Sequence, residues 1–375
     1  MGFESMDAEE RLARLRLIRT DSVGPITFRH LLARYGSARA ALDAVPALAA
    51  RGGRKAPPRI PDTRSVKQEL SRLSALGGTD LHLGDSAYPA ALAAVEDAPP
   101  VLFVLGHPHL LEKTCVGLVG ARNASAAGQK MAATLAAGLA EAGMIVVSGL
   151  ARGIDSAAHH AALDGGTVAC VAGGVDVVYP RENQVLFDAM TRQGAVVSEM
   201  PMGTRPQARH FPRRNRLISG LSRGIVVIEA AERSGSLITA RLAGEQGRDV
   251  FAVPGSPLDP RARGTNRLIS EGATLVQTVD DIVEALAASG PAPFEEGEDL
   301  PLFRTAATAT ESDAPECDER AREVIAGLIS PSPTPLDELI RLSGLPAGAV
   351  QGAVLELELA GLAERLPGGR VAGTG

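Results

Sequence analysis

From Cys115 onward the chain alternates short apolar runs with helical stretches, and the apolar runs carry no regular polar positions. Ile225-Val226-Val227-Ile228 is one such run. Unbroken apolar segments of this length are expected of strands buried on both faces of a parallel sheet. The pattern predicts strands at Val116–Val119, Met144–Ser148, Thr167–Val171, Ala195–Met200, Ile225–Glu229, Val250–Val253 and Ala273–Gln277. Helices are predicted at Ala124–Ala142, Ile154–Leu163 and Val279–Ala287. Strand–helix alternation of this kind gives an α/β fold with a doubly wound sheet, and ligands are expected outside the carboxyl ends of its strands.

The period changes on either side. Over residues 8–50, Leu12, Leu15, Leu17 and Ile18 form an apolar stripe, Ser22-Val23-Gly24-Pro25-Ile26 makes a turn, and Phe28, Leu31 and Leu32 continue a second helix to Gly36. Helix, Gly-Pro turn and helix are similar to a helix-hairpin-helix, while an αα packing module is the simpler reading. Residues 51–62 are rich in Gly, Pro and Arg and read as a loop; a helix at Arg64–Leu76 and a strand at Val101–Leu105 follow. Residues 288–318 hold Pro, Ala, Glu and Asp without a regular period and read as a linker. Beyond it, helices at Arg320–Ile329, Pro335–Leu342 and Ala347–Ala360 and a hairpin over Leu362–Val371 outline a winged helix. The expected organisation is therefore an N-terminal helical domain (1–80), an α/β domain (81–287), an acidic Pro-rich linker (288–318) and a winged-helix domain (319–375).

Composition narrows the picture only in part. A chain of 375 residues with 45% hydrophobic and 22% charged residues is long enough for more than one domain and has the balance of a soluble globular protein. Acidic residues precede the first apolar stripe, and no run approaches the ~20 apolar residues that span a membrane, so the cytoplasm is the expected compartment. The three cysteines, Cys115, Cys170 and Cys317, have no metal-ligand spacing, and neither metal nor cofactor is expected. A formal net charge of -6 does not favour nucleic acid, so any such binding must come from a local patch.

One patch stands out. His210-Phe211-Pro212-Arg213-Arg214-Asn215-Arg216 holds three arginines and no acid, with Arg205, Arg209 and Arg223 nearby. A solvated, Arg-rich helix start would account for it by itself. Four loops that follow predicted strands alter the balance: Gly120-Ala121-Arg122-Asn123-Ala124-Ser125, Ser148-Gly149-Leu150-Ala151-Arg152-Gly153-Ile154-Asp155, Ala172-Gly173-Gly174-Val175-Asp176 and Ser234-Gly235-Ser236. Glycine lets a backbone approach a ligand closely, Ser and Asn cap the next helix, and helix starts bind anions. Together with the arginines these loops predict a polyanion or nucleotide site. The chain has no GxxxxGK[ST] and no GxGxxG. His159 and His160 are expected on a helix surface, and Asp155 and Asp176 in capping or turn roles.

These residues together resemble the bacterial DNA-processing protein A family, also called Smf. The resemblance rests on Gly120-Ala121-Arg122 with Ser125, Ser148 to Asp155, Tyr179-Pro180 with Asn183, Phe211 to Ser222, Ser234 to Ala240, Gly247 to Gly255 and Gly264-Thr265-Asn266, and spans about residues 90–285. It implies an extended Rossmann-like domain that binds single-stranded DNA, forms a homodimer, and loads the RecA recombinase onto incoming DNA in natural transformation, without catalysis. Carried over by motif, Arg122, Phe211, Arg213, Asn215 and Arg216 contact DNA, and Ser148, Gly149, Gly235 and Ser236 line the groove. Ser125, Asn183, Arg214, Ser234 and Arg241 complete the candidate set. Independently of the resemblance, arginines neutralise phosphates and Phe211 can stack a base for ~1–3 kcal/mol. Charge reversal at Arg214 or Arg216 is then expected to abolish DNA binding with the fold intact. Helix Ala347–Ala360 carries Glu356 and Glu358 and no basic residue, so a protein contact or structural role is expected of it rather than a DNA groove. The alternative function is a nucleotide-processing enzyme of the phosphoribohydrolase (lysine-decarboxylase-like) type, although Pro254-Gly255-Ser256-Pro257 lacks the loop pattern of that family.

Overall fold

A computed structural model describes residues 6–290 and 319–374. Nearly all of the predicted linker, with Cys317, lies outside the described residues. The chain divides into two compact units, Glu69–Glu295 and Met1–Gln68 together with Glu296–Gly375.

In chain order the helices α1 (Ala8–Ile18), α2 (Pro25–Tyr35), α3 (Ala38–Arg51) and α4 (Thr63–Ala75) come first. The sheet region follows as β1 (Thr79–His82), α5 (Ala90–Ala93), β2 (Val101–Gly106), β3 (Cys115–Val119), α6 (Ala126–Glu141), β4 (Ile145–Ser148), α7 (Ile154–Ala162) and β5 (Thr167–Cys170). It continues as α8 (Gln184–Gln193), β6 (Ala195–Ser198), α9 (His210–Leu221), β7 (Gly224–Val227), α10 (Gly235–Glu245), β8 (Asp249–Ala252), α11 (Arg263–Ser270), β9 (Thr274–Leu275) and α12 (Val279–Ala288). The C-terminal elements are α13 (Glu319–Leu328), β10 (Thr334–Pro335), α14 (Leu336–Ser343), α15 (Ala347–Ala360), β11 (Ala363–Leu366) and β12 (Arg370–Gly373).

The central sheet has strand order β1-β2-β6-β5-β4-β3-β7-β8-β9. From β6 to β9 all pairs are parallel, and the apolar strands β3 to β7 are buried along their whole length. Two apolar cores form between the strands and helices: Val147, Val168, Leu217 and Ile225 belong to one, and Leu118, Leu135, Val146 and Phe251 to the other. The doubly wound, mostly parallel sheet expected from the pattern is therefore present. The pattern missed β1, which pairs antiparallel with β2, itself antiparallel to β6. Thr79 and Asp80 leave that edge strand without an apolar run.

In the other unit the N-terminal helices and the winged helix share a core. Leu355 and Leu359 of α15 pack with Leu17, Phe28, Leu31, Val45 and Leu48. Helix α15 is buried over almost all of its length, and it is the candidate DNA-reading helix of a winged helix. Glu356 sits between Arg51 and Arg322 at 2.8 and 3.0 Å. Glu358 accepts from the Thr27 hydroxyl at 3.3 Å and the Arg365 N–H at 3.0 Å. The two glutamates are thus consumed by structure, in line with the structural role expected of them. Among the described residues no helix is long and apolar enough to cross a membrane.

Candidate nucleic-acid interface

Helix α9 follows the long β6–α9 loop and packs its apolar side on β3, β4 and β5 through Leu217, Ile218 and Leu221. That packing aims its first turn at the carboxyl ends of β3, β4 and β5. A cavity of about 460 Å³ opens there, lined among others by Arg122, Gly149, Arg152, Tyr179, Phe211 and Arg214.

Phe211 is the centre of the rim. The Arg122 guanidinium lies 5.0 Å from its ring centroid, within cation–π range, and Arg214 lies 6.0 Å away. The Tyr179 ring is 5.8 Å from Phe211 at a 54° tilt. Tyr179 is half exposed and was not among the predicted site residues; a Tyr-Pro pair in the loop after β5 was the available signal.

Arg214 forms the floor. Only 6% of it is exposed. One terminal nitrogen donates to the Gly149 carbonyl at 2.5 Å and to the Cys170 carbonyl at 2.8 Å, while its Nε has no hydrogen-bond partner among the described residues. Burial pulls the guanidinium pKa down, against the pull of the Asp155 carboxylate. Gly149 is required here, because a Cβ would lie 1.9 Å from the guanidinium. Gly153 has φ +74, and a Cβ there would meet the Ala121 carbonyl at 2.4 Å, so the loops after β3 and β4 close on each other only through glycine. Asp155 accepts from the N–H groups of Gly149 and Ala151 at 3.1 and 3.3 Å, the turn role expected of it.

Arg216 sits differently from the other two arginines. It is equally buried, but it forms ion pairs with Glu199 and, at 3.5 Å, with Asp97, and also donates to the Asp97 carbonyl. Burial raises the Asp97 pKa, and Arg216 counters it. A glutamate at 216 would join two carboxylates in a buried site. The expectation that charge reversal leaves the fold intact is therefore corrected, most severely for Arg216 and also for the buried Arg214. Arg213 is exposed, 3.8 Å from Glu199.

The remaining predicted residues lie outside the lining of the cavity, Ser148, Gly235 and Ser236 included, against the expectation that these three line the groove. The buried Ser148 hydroxyl donates to the Leu118 carbonyl at 2.6 Å. Asn183 braces the loop after β4 by donating to the Leu150 carbonyl at 2.9 Å and the Ser156 hydroxyl at 3.0 Å. Ser125 caps α6 and bonds Glu229. Ser234 caps α10, its hydroxyl 2.7 Å from that of Ser236, and the Asn215 amide donates to the Gly235 carbonyl at 3.4 Å. Arg241 is exposed and 3.8 Å from Glu245. Ser125, Ser234, Gly235, Ser236 and Arg241 do not line the cavity. Arg152, which does, is exposed and paired with Glu182 at 2.5 Å. His159 corrects another expectation, since it is fully buried, with Nδ1 2.8 Å from the Thr167 hydroxyl. Burial lowers its pKa to about 3, so it is neutral. Its neighbour His160 is exposed. Among the described residues no cluster of His, Cys, Asp and Glu could hold a metal ion.

The arrangement can hold an anion against a buried cation and stack a planar ring at the rim. Comparison with known proteins places the chain in a family. Residues 80–287 match the family model for DNA recombination-mediator protein A, residues 8–71 a DprA-like N-terminal HHH domain and residues 307–369 a DprA winged helix domain. The chain is 45% identical over 213 residues to the DNA processing protein DprA of Bacillus subtilis, covering 56% of this chain and 72% of that protein. It is 39% identical over 287 residues to protein Smf of Escherichia coli, covering 76% and 74%. A solved structure of DNA processing protein A from Streptococcus pneumoniae superposes with a TM-score of 0.56 at 42% identity, covering 60% of this chain and 78% of that one. A structure of the Helicobacter pylori protein, described for its single-stranded DNA binding mode, gives 0.52 at 28% identity over 56% and 96%. With the central match spanning the whole sheet domain, the chain belongs to the DNA recombination-mediator protein A family.

Proposed function

We propose that this chain is a recombination mediator that holds single-stranded DNA across the mouth of the β3–β4–β5 cavity. The observation that carries the reading is the stack of Arg122, Phe211 and Tyr179 above the buried, incompletely paired Arg214. An unstacked base can lie on Phe211 or Tyr179, which a paired duplex base cannot do, and this favours single strands. Arg122, Arg205, Arg209 and Arg213 supply exposed positive charge along the rim for phosphates. Arg214 offers a desolvated guanidinium to a phosphate or base edge that enters the cavity. Arg216, Asn183, Ser148 and Asn215 act by holding the rim and floor in place.

The Helicobacter pylori relative, described for its single-stranded DNA binding mode, supports the same ligand. The family resemblance adds a homodimer through the sheet domain, cytoplasmic location, protection of incoming DNA and delivery to RecA. In this reading the protein holds and delivers the strand without catalysis. The family match does not favour the phosphoribohydrolase alternative. Binding of a labelled oligonucleotide by wild type and by Arg122→Glu, an exposed position, tests the reading. Wild type is expected to bind single strands more tightly than duplex, and the variant to lose most of that affinity with an unchanged melting temperature. Equal affinity of the two proteins would place the DNA elsewhere.

A further inference from the structure

The sheet order turns back between β3 and β7, with β4, β5 and β6 to one side and β8 and β9 to the other. In a doubly wound sheet, the crevice outside that reversal is where a nucleotide phosphate meets the N-terminus of the helix after the first strand. The helix in that position is α6, of 16 residues. A side chain of the protein itself already occupies its N-terminus.

Glu229 lies two residues beyond β7. One of its oxygens accepts from the Ser125 N–H at 3.0 Å, and the other from the Ser125 hydroxyl at 2.5 Å. The same hydroxyl accepts from the Gly128 N–H at 2.9 Å. Capping of α6 is thus met by Ser125 itself. Gly128 is shaped to the carboxylate, since a Cβ there would lie 2.4 Å from the Glu229 carboxyl carbon and 2.6 and 2.7 Å from its oxygens. A bound phosphate would need the same Ser125 N–H, the same Ser125 hydroxyl and the same glycine clearance.

We propose that Glu229 is a specificity-determining residue that fills the anion position at the sheet reversal and excludes phosphate groups from it. The anion position at the start of α6 is closed from within by a side chain from the end of β7, and the open cavity lies over β3, β4 and β5. The exclusion rests on geometry alone. Its corollary, that Glu229 confines the DNA backbone to the cavity, rests on the single-stranded DNA reading above.

Thermal unfolding of the full chain with inorganic phosphate, at ionic strength matched by chloride, tests the exclusion without DNA. Phosphate is expected to raise the midpoint of Glu229→Ala by more than that of wild type, in which only the Arg214 cavity is open to it. Where the alanine variant does not fold, Glu229→Gln decides, because it keeps an acceptor for Ser125 and removes the charge; a smaller phosphate-dependent rise is expected. No rise in the folded variant, or an equal rise in wild type, overturns the proposal. The corollary is read from salt dependence of single-strand binding, where the variant gains one phosphate contact and a slope steeper by about 0.7. Failure of wild type to bind single strands would overturn the DNA reading and leave the phosphate result standing.

Discussion

Helices α9 and α15 both bring ionisable side chains into an interior, and they do so with opposite results. In α15, Glu356 has side-chain exposure of 1% and sits between Arg51 and Arg322, while Glu358 meets Thr27 and Arg365. Each charge is answered by a side chain of the same unit, and the helix is covered by the core it shares with α1, α2 and α3. In α9 the answer is split. Arg216 is answered by Asp97 and Glu199. Arg214 forms no direct ion pair among the described residues, rests on two carbonyl oxygens, and faces an open cavity. A buried charge met by a counter-charge is a structural lock, and its loss is costly. A buried charge met mainly by neutral dipoles keeps attraction in reserve for a ligand.

The sharpest way to break this contrast is to remove a lock. Arg216→Met takes from Asp97 and Glu199 the buried cation they share, and is expected to destabilise the sheet unit by about 3–5 kcal/mol. Chemical denaturation measures it, and a loss of DNA affinity with stability unchanged would instead make Arg216 a contact residue. Glu356→Ala removes the corresponding lock of α15 and is expected to cost about 1.5–3 kcal/mol, since its partners are charged. Single-strand affinity of that variant is expected to match wild type, because the sheet cavity is untouched. Phe211→Ala reverses the pattern, with binding weakened by about 1–3 kcal/mol by loss of one stacking surface. Its melting temperature is expected to change less than that of Arg216→Met.

The smallest effect concerns pH within the α15 unit. Burial raises Glu358 from 4.5 to about 7, against the pull of Arg365. Burial, with Arg365 second, lowers His30 from 6.5 to about 4. The folded state binds the Glu358 proton more tightly than the unfolded chain, so that contribution to stability falls as pH rises from 4.5 to about 7. The His30 contribution has the opposite sign and is lost as pH falls from 6.5 towards about 4. Wild type is therefore expected to show a shallow profile across the overlap. Glu358→Gln unmasks His30, and its stability is expected to rise with pH over that range. A falling profile in the variant would remove His30 from the account.

Much of the fold was legible in the sequence because apolar runs report burial directly. Val116–Val119 and Ile225–Val227 could be little else than interior strands, and α15 was placed at Ala347–Ala360 as observed. The edge strand β1 was missed because Thr79 and Asp80 give it no such run. The cationic stretch was also legible, but the fate of each arginine was not. The partners that separate Arg214 from Arg216 are Gly149, Cys170, Asp97 and Glu199, all distant along the chain. The same limit explains His159. Adjacent histidines on a helix point about 100° apart, and only Thr167 on the neighbouring strand reveals which one faces inward. The shared core of α15 and the N-terminal helices joins residues some 300 positions apart, beyond the reach of any local period.

The cavity beneath Phe211 and Arg122 is expected to bind single-stranded DNA chiefly through phosphates. The most direct test is a salt titration of wild-type affinity for one oligonucleotide, single-stranded and as a duplex. With four to six phosphates held, log affinity is expected to fall against log salt with a slope of about -3 to -4 for the single strand, which binds more tightly throughout. An affinity nearly independent of salt, or a preference for the duplex, would contradict it.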